Sequence, residues 1–138
     1  MIAMRLIFSI PLVAIVLIIF AVMAMGSDFS PGTALFELAL PSGGDLFLTV
    51  GDVFILAGLV ALFLEVIKAA RLGAASVIDH MLSTAAFIAA LIGLLLVPSL
   101  GTTSFFLLTV MALIDVVAGF TISIFTARRD LNVTRDML

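Results

Sequence analysis

Residues 103–130 read TSFFLLTVMALIDVVAGFTISIFTARRD, an apolar block broken only by Asp115 and closed by Arg128 and Arg129. As a helix, 103–127 would run about 37 Å, enough to cross a hydrocarbon core about 30 Å thick. Basic residues at one end of such a block mark the side that stays in the cytoplasm. The rest of the chain obeys the same rule. Residues 6–25, 46–70 and 77–97 are the other long apolar runs. Arg5 precedes the first, Lys68 and Arg71 close the second, and Arg135 joins the arginine pair in the tail 128–138. The two connections left over, 26–45 and 98–102, contain no Lys or Arg. The pattern predicts a single all-α domain: an integral membrane four-helix bundle with both termini cytoplasmic and 26–45 as the outer loop.

That orientation has a direct test, because the chain contains no cysteine. Ser42→Cys and Ser99→Cys should react with an impermeant thiol reagent applied from outside. Ala74→Cys should react only once the membrane is opened. Labelling of Ala74→Cys but not Ser42→Cys from outside would reverse the topology.

Composition supports the class. Of 138 residues, 64% are hydrophobic and 11% charged, against about half and about a quarter in soluble domains. A soluble core of this size cannot bury so much apolar surface. The net charge of -3 and the lack of a basic patch exclude nucleic acid as a partner. Without cysteine there is no disulfide or thiol chemistry, and the single His excludes a bis-histidine haem held by this chain alone. Trp and Tyr are absent, so Phe29, Phe47, Phe105 and Phe106 are the candidate interfacial anchors.

Local signals refine the boundaries. The run 6–25 exceeds the core of a typical signal peptide and lacks a good cleavage site, so it reads as an uncleaved anchor, loosened at Pro11. Ser30-Pro31 reads as an N-cap and first helical position, which makes 33–40 either a short interfacial helix or an irregular loop. Gly73 suits a helix C-cap, Ser76 and Asp79 a capping box, and Pro98 to Gly101 a tight turn before a cap at Thr102 or Thr103.

Asp115 is the foremost candidate for function. It lies at mid-membrane, where a carboxylate costs several kcal/mol and so faces protein or water. Ala112, Asp115, Gly119, Ser123 and Thr126 form one small or polar stripe that admits another helix closely. The structural alternative is a neutral Asp115 hydrogen-bonded to Ser83 or Thr84. Asp52 and Glu65 extend the series of acids at intervals of roughly 10 Å, though about 140° apart around their own helix. Their plainer roles are a helix-start acid for Asp52 and an i,i+3 pair with Lys68 for Glu65. His80 with Asp79 and Glu65 offers a weak set of zinc ligands. Ala86, Ala90 and Gly93, like Gly51 and Gly58, suit close helix packing.

The runs ending at Asp52 (LTVGD), Arg71 (LEVIKAAR), His80 (SVIDH) and Thr121 (IDVVAGFT), with Ala127-Arg-Arg-Asp, resemble a group of small proteobacterial inner-membrane proteins. The resemblance covers about 46–130 and implies topology and a bacterial inner-membrane location, with no activity. Small multidrug transporters carry a Glu in helix one, which is uncharged here, and fluoride-channel signatures are absent.

Catalytic signatures are also missing: no HExxH, nucleophile elbow or phosphate loop. The expectation is a non-enzymatic accessory subunit, without cofactor, of a larger membrane complex such as a respiratory or photosynthetic assembly. It would contact its partner through Asp115, Gly119, Asp52 and Glu65. The alternative is a small oligomeric proton, cation or solute conductor built around Asp115.

Overall fold

The computed structural model describes residues 10–26, 28–72 and 77–136. Their elements are α1 (Leu12–Ala24), β1 (Ala34–Ala39), β2 (Asp45–Thr49), α2 (Val50–Leu72), α3 (Val77–Leu96), one 3-10 turn (Pro98–Leu100) and α4 (Thr103–Asp136). Among the described residues, three stretches are long and apolar enough to cross a membrane: Val50–Ala69, Asp79–Leu96 and Thr103–Phe125. Their outward side chains, such as Leu95, Leu96 and Phe63, are largely exposed, as surfaces meeting lipid require. α1 is apolar but shorter, about 20 Å at the helical rise. Arg5, Gly73 and Ser76 lie outside the described residues.

The architecture is helical, but all-α needs correcting, because the connection between α1 and α2 is a β-hairpin. β1 and β2 pair antiparallel, with Phe36 opposite Leu48, Glu37 opposite Phe47 and Leu38 opposite Leu46. Neither the interfacial helix nor the irregular loop forms over 33–40. Pairing gives the backbone of both segments its hydrogen bonds, which an isolated helix this short would hold only marginally in water. The hairpin closes where Leu40 N–H donates to Gly44 O (2.8 Å) and Gly43 N–H to Leu40 O (3.0 Å). Gly43 adopts φ 84°, a left-handed conformation that favours glycine.

β2 displaces the start of the second span from 46 to Val50. There Thr49 and Asp52 form a reciprocal capping box. Thr49 Oγ1 accepts from Asp52 N–H (3.2 Å), while Asp52 Oδ2 accepts from Thr49 N–H (2.9 Å) and Oγ1 (2.6 Å). Two further N–H groups of that first turn, Val50 and Gly51, donate to Thr33 O and Pro31 O. Asp52 therefore sits in the first turn of α2, where a helix-start acid belongs. At the other end α4 continues to Asp136, past the expected end near 127. No Gly or Pro follows Gly119, so nothing in the tail stops the helix.

α2 and α4 approach most closely where α2 has glycine. A Cβ on Gly51 would lie 2.2 Å from Ser104 Oγ, and one on Gly58 would lie 2.5 Å from Leu108 Cδ2. Gly93 of α3 similarly admits Leu100. The hairpin half of the bundle is filled by aromatic rings. Phe20, fully buried, meets Phe29, Phe54 and Phe105 at centroid distances of 5.2, 5.1 and 5.5 Å. Of the four expected anchors, Phe29 and Phe105 thus belong to the core. Phe47 and Phe106 are exposed.

Candidate functional site

Polar groups collect in the half of the bundle that carries Lys68 and Arg128, and their arrangement begins with Pro11. Proline has no N–H and fixes its own φ; here it is extended, and α1 starts directly after it. A helix starting there presents N–H groups without intrahelical acceptors. No side chain of α1 caps this end. Glu65 of α2 does. Its Oε1 accepts from Leu12 N–H and its Oε2 from Val13 N–H (3.4 Å). The carboxyl group straddles the helix terminus, where the macrodipole favours negative charge. Glu65 is 4% exposed, so bulk solvent has little access to this cap.

Asp115 of α4 stands beside that cap. Its carboxyl group lies within interaction reach of the side chains of Glu65 and Ser83 around one cavity, bringing α2, α3 and α4 together at one point. Ser83, also buried, supplies a hydroxyl. Thr84 is committed elsewhere, donating to His80 O (2.7 Å).

Two further contacts lie about one to two helical turns nearer the basic end. His80 Nε2 and Ser123 Oγ are 2.9 Å apart and share a hydrogen bond. The imidazole lies parallel to the Phe120 ring at 5.2 Å and fills the space left by Gly119, where a Cβ would lie 2.2 Å from His80 Cε1. Lys68 Nζ and Asp79 Oδ2 form an ion pair at 3.3 Å between α2 and α3. Glu65, Lys68, Asp79, His80, Ser83 and Asp115 surround a cavity of about 20 Å³, room for a single water. Among the described residues no buried side-chain nitrogen or oxygen lacks a hydrogen-bond partner.

The structure brings Glu65, Asp115, Gly119, Asp79 and His80 together and leaves Asp52 at the far end of α2. Glu65 serves α1, with Lys68 near enough to act on it electrostatically, and Lys68 also forms an ion pair with Asp79. The stripe on α4 faces the chain's own helices: Ala112 is buried in the core, Asp115 meets Glu65 and Ser83, and Gly119 and Ser123 meet His80. The side chain of Thr126 lies outside the description. Sequence reading missed the link from Glu65 to α1. Its signal was Pro11, since a helix starting inside an apolar block needs an acceptor from elsewhere.

His80 and Asp79 are engaged by Ser123 and Lys68, and no group of three or more His, Cys, Asp or Glu among the described residues is placed to hold a metal ion. Comparison of the chain with protein-family models, with characterised proteins and with solved structures finds no match.

Proposed function

We propose that the chain is a non-catalytic structural subunit of a larger assembly in the bacterial inner membrane, with both termini cytoplasmic. One observation carries this reading: the acids singled out in the sequence are committed to building the bundle. Glu65 caps α1, Asp115 ties α4 to α2 and α3, and Asp52 caps α2. Above the Glu65–Asp115 pair, Phe20, Phe105 and Leu108 fill the interior with almost no exposure, so a single chain offers no polar route across. Respiratory and photosynthetic complexes, which recruit small helical subunits without cofactors, are the class of host. A proton or cation conductor is the second reading, favoured by the cavity bordered by Glu65, Asp115 and His80.

The test pairs two measurements on wild type, Asp115→Asn and Asp115→Leu: co-purification of larger membrane proteins in mild detergent, and ion flux in liposomes. Asn keeps an acceptor for Ser83 and a donor for Glu65, so assembly should survive. Leu removes a polar partner from both Ser83 and Glu65, so assembly should fail. Flux should be absent in all three. Flux in wild type that both variants abolish while assembly persists would overturn the structural role in favour of the conductor.

A further inference from the structure

The hairpin has two unlike faces. In an antiparallel pair, directly opposed residues project to the same side and successive residues alternate. The register therefore puts Phe36, Leu38, Leu46 and Leu48 on one face, and Glu37, Ala39, Asp45 and Phe47 on the other. The first face carries no charge or hydrogen-bonding side chain. Yet Phe36 and Leu38 are 54% and 50% exposed, and no residue of β1 is buried. A two-stranded sheet with an uncovered apolar face is marginal in water.

Its position says what covers it. β2 ends at Thr49 and the membrane-crossing α2 begins at Val50, with no residue between. The capping box and the bonds from Val50 and Gly51 to Thr33 and Pro31 fix that junction, so the root of the hairpin sits at the bilayer surface. Strands of this length extend about 17–20 Å, whereas the interfacial zone on each side of the hydrocarbon is only about 5–8 Å thick. A hairpin standing upright would hold its apolar face in water. One lying down immerses that face and leaves the acids in solvent.

We propose that the hairpin lies flat on the membrane that the chain crosses, with Phe36, Leu38, Leu46 and Leu48 among the headgroups and upper acyl chains and Glu37 and Asp45 turned to water. The occupant of the face is lipid, and this does not depend on the subunit role.

The chain has no Trp or Tyr, so one introduced Trp is a unique fluorophore. The full chain, as Phe36→Trp or Glu37→Trp, is reconstituted in phosphatidylcholine vesicles whose acyl chains are brominated near the headgroup. Brominated lipid should quench Phe36→Trp several-fold more than Glu37→Trp, and aqueous iodide should reverse the order. Leu38→Trp, on the same face, should behave like Phe36→Trp and serves if that variant misfolds. Equal responses of the two faces would overturn the proposal. So would a residue 36 shielded from both quenchers, which would put protein, such as a second copy, on that face.

Discussion

Glu65→Leu is expected to be the most damaging single substitution in the chain, while Glu65→Gln is tolerated. Leu removes the acceptor for both Leu12 N–H and Val13 N–H at a buried position. Two orphaned donors at about 1–3 kcal/mol each give a loss of about 2–6 kcal/mol. Asp115 loses a partner as well. Gln keeps one oxygen at the helix terminus and gives up the charge, a loss of about 1–2 kcal/mol. Reversible unfolding in mixed micelles measures the difference. Hydrogen exchange at the amides of Leu12 and Val13 locates it, with protection lost in the Leu variant and largely kept in the Gln variant. Equal stability of the two variants, or protection that survives Leu, would show that α1 does not depend on this carboxyl group.

The same residue shows where sequence reading stops. The spans are legible because burial in lipid demands long apolar runs, and α2, α3 and α4 fall where those runs are. Lys68 stands three residues from Glu65, a relation any helical count finds; Leu12 stands 53 residues away, and only the packed bundle brings it near. Asp115 was easier. Its depth marks it, and Ser83 was one of few hydroxyls at a matching level. The hairpin was hidden by its irregularity. The register shifts between Ala34 and Phe36, which breaks the two-residue alternation of Ala-Leu-Phe-Glu-Leu-Ala, and the Ser30-Pro31 pair imitates a helix start. The stripe on α4 reads as a surface for close approach, and at Gly119 the His80 ring lies against it. The identity of the approaching helix, α3 of the same chain, is tertiary information.

That identity leads to the second large effect. Gly119→Ala is expected to destabilise the protein, with the sign reversed when His80 is removed. The added Cβ would lie 2.2 Å from one imidazole atom and 2.6 Å from another. The ring has little freedom to retreat, being stacked on Phe120 and bonded to Ser123. Overpacking against such a rigid group belongs at the upper end of the usual range, about 3 kcal/mol. Ala in place of Gly in a helix returns about 1 kcal/mol, so the net loss should be about 2 kcal/mol. In a His80→Ala background the overlap disappears and only the helical gain remains, making Gly119→Ala neutral or stabilising by up to about 1 kcal/mol. A double-mutant cycle in detergent should then give a coupling of about 3 kcal/mol, at the top of the range for residues in contact. Were Gly119 instead the seat of a helix from another protein, Ala would weaken co-purification equally with or without His80. The coupling to His80 decides whether this glycine serves the fold or a partner, and the contacts of His80 with Gly119, Phe120 and Ser123 favour the fold.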